Sequence, residues 1–132
     1  MTKPSTVQKT IDFPAIGCSI GNVEVTPLGD NKYRLEEAVP LSECTAIYDV
    51  IRAKRIDDAT IQFVRVTEHS NWKTYSYGIP KEHADSAVLD AAIARIESQG
   101  ALWDQVFGGL LFVYVSPDSD YVPDADVAEV VN

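Results

Sequence analysis

The stretch that decides the fold class is "TIQFVRVTEHSNWKTYSYGIPKEHADSAVLDAAIARIESQG", residues 60–100, because the spacing of its apolar residues changes along it. Residues 60–69 are rich in β-branched and aromatic side chains, which is typical of a strand. Residues 72–79 resume the strand pattern after a Ser-Asn link, so we expect an antiparallel hairpin with its tip at that link. The alternation places Tyr75 and Tyr77 on the apolar face of the second strand.

The period then becomes helical, since apolar residues recur three or four positions apart up to Gly100. This predicts one main helix over about 82–99, packed on one face of a sheet. The run "LLFVYV" within 110–116 is apolar on both faces and predicts a final, central strand. A helix between two strands usually joins parallel neighbours, so we expect residues 72–79 to pair in parallel with that strand.

Upstream, residues 22–37 alternate around "LGDN", which predicts a β-hairpin, and "IYDVIRAKR" at 47–55 predicts a further strand. The expected fold is α+β, a mainly antiparallel sheet of five or six strands with one main helix. At 132 residues the chain is expected to hold a single domain over 16–117, after a flexible arm at 1–15 and before an acidic tail at 118–132.

The net charge of −9 favours basic partners and disfavours direct nucleic-acid binding, which needs Lys and Arg on one face. The N-terminal residues lack the apolar run of a signal peptide, and the longest apolar stretch is too short to span a bilayer. These features predict a cytoplasmic protein without a membrane anchor. Cys18 and Cys44 lack a CxxC spacing and are expected to be reduced thiols, with a single disulfide between them as the alternative.

Two kinds of side chain offer catalytic chemistry. His69 can form an acid–base pair with Glu68, Asp57 or Asp58, but a lone histidine at a hairpin end is more often simply solvated. Either cysteine can act as a nucleophile, although free cysteine is more often a small buried apolar residue. Because no nucleophile partner is identifiable, we predict no catalytic residue and no cofactor.

Five carboxylates crowd the last 15 residues: Asp118, Asp120, Asp124, Asp126 and Glu129. Their spacing resembles a calcium loop, but Val122 stands where an oxygen ligand belongs and Pro123 where glycine makes the sharp turn. We therefore predict no metal site. The alternatives are a solvated tail with a short helix from Asp124, or a recognition element for a basic partner.

The segments "PLGDNKYRLEE", "YDVIRA", "FVRVTEHSNWKTY" and "FGGLLFVYVSPDSD" follow one another in this order over roughly residues 22–120. In this order and spacing the chain resembles a bacterial small-protein family catalogued as domain of unknown function 4265. The resemblance implies a compact fold. It supplies no catalytic residues, because the family has no established reaction.

These observations favour a non-enzymatic protein-binding domain, most concretely an immunity or inhibitor protein that neutralises a basic toxin such as a nuclease. The predicted contact residues are the five carboxylates of the tail together with Glu68, His69 and Trp72, a partly exposed tryptophan that can anchor an interface. The alternatives are a small enzyme or ligand-binding module using His69 and nearby acids, and a self-associating protein that uses an exposed strand edge.

Overall fold

The structure is a computed structural model and describes residues 5–39, 42 and 44–131. The chain divides into two compact units, Met1–Asn71 and Trp72–Asn132. The boundary falls directly after the Ser-Asn link that the sequence predicts to be a hairpin tip. The expectation of a single domain over 16–117 stays a prediction, and each unit is described by itself.

The first unit is a closed barrel of five strands in chain order. Neighbouring strands are antiparallel, except that the last strand pairs with the first in parallel and closes the barrel. An odd number of strands in a meander leaves the first and last running in the same direction. The strands are β1 (Val7–Phe13), β2 (Cys18–Gly29), β3 (Lys32–Leu35), β4 (Val50–Arg55) and β5 (Thr60–Glu68).

The predicted hairpin over 22–37 is confirmed by strands β2 and β3. Asp30 and Asn31 connect them, and both have positive φ, 54° and 61°. Two consecutive residues of this kind match the right-handed twist of the flanking strands, and Asp and Asn tolerate that conformation better than most residues.

The barrel interior is apolar, and β1 contributes Ile11 and Phe13 to it, at 0% and 1% exposure. The ring of Phe13 lies 5.3 Å from that of Phe63 on β5, measured between centroids. Residues 7–13 are therefore a barrel strand and not part of the loose arm predicted for 1–15. The polar residues between the buried ones obscured the strand in the sequence. The other buried core residues are Val23, Val25, Leu35, Val39, Ile51, Ala53 and Ile61.

The second unit is a three-stranded antiparallel sheet with two α-helices. Its elements are β6 (Lys73–Gly78), α1 (Ala87–Ser98), β7 (Leu102–Val106), β8 (Leu110–Val115) and α2 (Asp124–Val131). A 3-10 turn, Lys81–His83, precedes α1, and a second one, Pro14–Ile16, connects β1 and β2 in the first unit.

The second unit corrects two expectations about strand pairing. β5 and β6 do not form a hairpin, because both edges of β5 are already paired with β4 and β1. β6 pairs with β8 in the antiparallel direction, since the unpredicted strand β7 reverses the chain between α1 and β8. The expectation that the last strand is central is confirmed, because the sheet order is β6-β8-β7.

The α+β class is confirmed, although the strands form a barrel and a separate sheet, and the described residues contain two α-helices instead of one main helix. Helix α1 begins at Ala87 because the Ser86 side chain caps it, its Oγ accepting from the backbone N–H of Leu89 at 3.2 Å. Leu89, Ala92 and Ile96 form its buried face. No α-helix in the described part of the chain is long and apolar enough to cross a membrane.

Candidate interaction surfaces

Of the residues predicted to form a site around the Ser-Asn link, Glu68 ends β5, and His69 and Trp72 lie between β5 and β6. Glu68 and His69 are exposed, and Trp72 is partly buried, as the sequence predicts for it. Among the described residues no ion pair joins His69 to a carboxylate. The acid–base pair suggested by the sequence therefore has no geometric support.

The two aspartates proposed as partners of His69 have other contacts. Asp57 accepts a hydrogen bond from the backbone N–H of Ala59 at 2.8 Å, and this bond holds the pKa of its carboxyl below the usual value. Asp58 forms an ion pair with Arg55. Both aspartates thus belong to the turn between β4 and β5.

A buried carboxylate that sequence reasoning missed holds the start of the link. Asp49 is 2% exposed, and its two oxygens accept from the backbone N–H groups of Ser70 at 2.8 Å and Ala46 at 2.9 Å. The Ser70 hydroxyl donates to the carbonyl of Ile47 at 2.7 Å. Because these backbone donors satisfy the carboxylate, Asp49 has a structural role: it connects the segment before β4 with the Ser-Asn link. In the sequence, the buried carboxylate is marked only by the "YD" pair directly before β4.

The two cysteines lie in different settings. Both are free; Cys18 is half-buried at the start of β2, and Cys44 is exposed. The expectation of small buried apolar residues therefore fails for Cys44, which lies in the irregular segment before β4.

The acidic segment 118–132 is in large part a folded helix, since α2 begins at Asp124 as the sequence suggests. Two of its carboxylates make internal contacts. The Tyr77 hydroxyl donates to Asp124 Oδ1 at 2.5 Å, and the Tyr121 hydroxyl donates to Asp126 Oδ2 at 2.7 Å. Burial, followed by the hydrogen bond to the carboxylate, raises the pKa of both tyrosines well above the usual value.

Helix α2 is also tied to α1. Arg95 donates through Nη2 to the carbonyl of Asp126 at 2.7 Å, and its Nε lies 3.5 Å from the Asp126 carboxylate. Val127 and Val130 are buried in the same core as the inner face of α1. Of the five predicted tail carboxylates, Asp124 and Asp126 thus hold the helix in place.

The remaining three, Asp118, Asp120 and Glu129, are exposed. The second half of the loop considered for calcium is helical. No group of three or more His, Cys, Asp or Glu side chains within the described residues is arranged to hold a metal ion.

Charge is divided unevenly between the units. Residues 72–132 contain ten Asp and Glu against three Lys and Arg, a net charge of −7. Residues 1–71 contain ten against eight, a net charge of −2. The excess of negative charge therefore extends well beyond the tail, over the whole second unit, residues 72–132, which we call the helix–sheet unit.

Phe107, in the turn between β7 and β8, is the most exposed large apolar side chain of the described residues, at 86%. Its φ is +56°, a conformation that is a clear outlier for a bulky aromatic residue. The turn is braced, because Gln105 Nε2 donates to the carbonyls of Gly108 and Ala84, both at 2.9 Å. The backbone N–H of Ile79 donates to the carbonyl of Gly109 at 2.8 Å. The sequence signal for this feature is the aromatic residue directly before a Gly-Gly pair.

Comparison with known proteins adds one structural neighbour. No family model matches the sequence, and no curated protein matches it either. A solved structure described as a novel crystal structure of a hypothetical protein from Neisseria gonorrhoeae is similar, with a TM-score of 0.60 and 14% identity over 91% of this chain and 82% of that one. At this identity the similarity is one of fold alone. Membership of the family named from the sequence stays a prediction.

Proposed function

We propose that this protein is a non-enzymatic protein-binding domain whose helix–sheet unit, residues 72–132, docks on a basic protein surface. The observation that carries the proposal is the net charge of −7 on that unit. Clustered carboxylates accelerate association with a cationic surface and disfavour wrong partners. The narrower form is an immunity or inhibitor protein that acts in the cytoplasm and neutralises a cationic toxin, such as a nuclease, by occupying its phosphate-binding groove.

Phe107 supports the proposal as an apolar anchor within the acidic unit. Interface energy concentrates in a few large side chains that fill pockets on the partner, surrounded by polar residues that exclude water. A phenylalanine in a braced turn is already in place for such a pocket, so little conformational entropy is lost on binding. In the free protein the same side chain gains nothing from burial and strains the backbone.

The exposed acids supply the polar rim in this proposal. Glu82 and Asp85 flank Ala84, the residue that Gln105 ties to the Phe107 turn, and both are exposed. Asp118, Asp120 and Glu129 add charge at a loop and on α2. Asp124 and Asp126 serve mainly to dock α2. Glu68, His69 and Trp72 stay predicted contact residues.

The test uses the basic proteins encoded by the genes that flank this one, each purified and titrated onto the full chain by calorimetry. The expected result is a complex with one of them at low salt, weakened about tenfold or more at high salt because the contacts are charged. Co-expression should also restore growth to cells that produce that toxin. If no flanking basic protein binds at low salt, the proposal fails.

Variants locate the surface. We expect Phe107→Ser to weaken the complex by about 30-fold or more, the effect of losing a hot spot. Asp118→Asn with Asp120→Asn should weaken it mainly at low salt. The matched control, Glu24→Gln with Asp30→Asn, changes the total charge equally on the barrel unit. If the control weakens binding as much as the tail pair, the helix–sheet unit is not the docking surface.

A further inference from the structure

The barrel unit carries a short row of cations that the acidic overall composition conceals. Lys32 on β3 pairs with Arg52 on β4, and Arg52 pairs with Arg65 on β5, so the three are successive cross-strand partners. Strands in a sheet lie about 4.8 Å apart, so the row is about 10 Å long at the backbone. We call these three residues the cation row.

The cation row lies on the outside of the barrel. Arg52 stands between Ile51 and Ala53, which both face the interior at 0% exposure, so the pleat directs Arg52 outward. The pairing of β4 with β5 shifts between Arg52 and Ala53, which leaves Val64 as an extra residue next to Arg65. Such a bulge re-aims a side chain, and both Val64 and Arg65 are exposed.

The three cations of the row form no ion pair with the residues that the structure describes. Like charges placed directly opposite each other on neighbouring strands repel. Two other cations of the barrel are ion-paired, Arg34 with Glu36 and Arg55 with Asp58. In the described part of the chain no such pair involves any residue of the row. Asp30 lies in the turn beside the row, and Glu68 pairs with Val50, outside it; among the described residues neither carboxylate forms an ion pair with the row.

The guanidinium of Arg52 is held in place yet has spare donors. Its Nη1 donates to the backbone carbonyl of Asp30 at 3.3 Å, and its buried Nε has no acceptor. A guanidinium presents five N–H groups in a planar fork that matches phosphate and carboxylate oxygens. An anion lying over the row would accept from the guanidinium N–H groups that reach the surface, and it would supply negative charge where the described residues form no ion pair with the row.

We propose that the cation row binds the phosphate group of a small molecule. A phosphate dianion neutralises more of the row than a carboxylate does and accepts from two arginines at once. The row is short, and a chain with a net charge of −9 repels a long polyanion, so a small phosphate ester fits better than a nucleic-acid strand. The cation row belongs to the barrel unit and the proposed docking surface to the helix–sheet unit. Each of the two proposals can therefore fail without affecting the other.

The experiment titrates the full, ¹⁵N-labelled chain with inorganic phosphate and with glycerol phosphate, at constant ionic strength set with sodium chloride. We expect saturable shifts of the backbone amides of Lys32, Arg52 and Arg65 and of the two arginine Nε–H signals. Arg52→Lys keeps the charge but removes the fork, so the affinity should fall about tenfold. Arg65→Gln, at an exposed position, should give a similar loss and leaves the barrel interior unchanged.

Lys54→Gln is the matched control, because Lys54 is on the same strand two residues from Arg52 and pairs with Gln62, outside the row. It should change the affinity less than about twofold, since only the row contacts the anion. Shifts that do not saturate, or an equal loss in Lys54→Gln, would overturn the site. Tighter binding of acetate, an oligonucleotide or a polyglutamate peptide than of glycerol phosphate would overturn the choice of ligand.

Discussion

The two units of this chain bury their apolar residues in different ways. The barrel closes on itself, so all five strands are paired on both edges and the core lies inside. The three-stranded sheet is open, and two helices cover one of its faces. The barrel is close to neutral in net charge, whereas the helix–sheet unit is strongly acidic. Both units are held by strand pairing, and the helix–sheet unit adds side-chain ties that dock its second helix, such as Tyr77 to Asp124.

The largest expected effect distinguishes the core of the barrel unit from the core of the helix–sheet unit. Phe13→Ala should lower the free energy of unfolding by about 3–5 kcal/mol, because it leaves a cavity in the core cluster of the first unit. Hydrogen exchange should show the greater loss of amide protection in β1 to β5. Ile96→Ala, which removes a side chain from the core of the other unit, should reverse the pattern. Ile56→Ala, at a position 53% exposed, is the surface control. Equal losses in both units from Phe13→Ala would contradict the comparison.

A second effect compares two carboxylates. Asp49→Asn should cost about 2–3 kcal/mol, because a buried oxygen that accepts from a backbone N–H becomes a donor. Asp126→Asn should cost about 1 kcal/mol or less, since its ion pair with Arg95 is partly solvated. Urea denaturation of both variants measures the difference. A larger cost at Asp126 would show that the side-chain ties of the helix–sheet unit are the stronger ones.

A third effect is alkaline sensitivity of the helix–sheet unit. Burial and hydrogen bonds to aspartates raise the pKa of Tyr77, Tyr114 and Tyr121 above the ordinary value near 10. Their contribution to stability is therefore complete below pH 10 and is lost as the pH rises above that value, because the unfolded chain ionises first.

The loss is at most about 1.4 kcal/mol per tyrosine for each pH unit, and less for Tyr77 and Tyr121, which are partly exposed. Amide exchange above pH 10, corrected for its intrinsic pH dependence, should weaken first in β6, β8 and α2. Tyr114→Phe should flatten the pH dependence by removing one of the three contributions. A barrel that loses protection at a lower pH than the sheet would contradict the assignment.

The smallest expected effect is an increase in stability. Phe107→Gly should raise the free energy of unfolding by up to about 1 kcal/mol, because glycine adopts positive φ without strain and no buried contact is lost. Thermal unfolding measures the change. Asp30→Gly is the control from the barrel turn, where Asp already tolerates the conformation and a smaller gain is expected. A destabilised Phe107→Gly would show that the side chain has a structural role in the free protein.

The sequence predicted turns and helices correctly where neighbouring residues alone determine them. Asp30 and Asn31 specify the β2–β3 turn through their own backbone preferences. The helical spacing of Leu89, Ala92 and Ile96 locates α1, although the predicted start at 82 was five residues early because Ser86 caps the helix. The candidate residues at the link were placed at the surface, as expected for Glu68 and His69.

The sequence did not predict which strands pair, because strand pairing depends on residues far apart in the chain. The alternation of residues 60–79 identifies two strands, yet only the pairing of Ile61 with Ile11 shows that the first belongs to a barrel. The cation row joins positions 32, 52 and 65, which no spacing rule connects. Phe107 precedes a Gly-Gly pair in the sequence, but its exposure depends on the hairpin that β7 and β8 form around it.

The sequence by itself determined the α+β class, the local turn and helix signals, and the excess of negative charge, since these depend on neighbouring residues and on composition. The tertiary structure alone decided the closure of the barrel, the division at Asn71 and the faces on which charges meet. The physical reason is that a strand carries hydrogen-bonding groups on both edges and is satisfied by any compatible partner. Its choice of partner is therefore made by the packing of the whole unit.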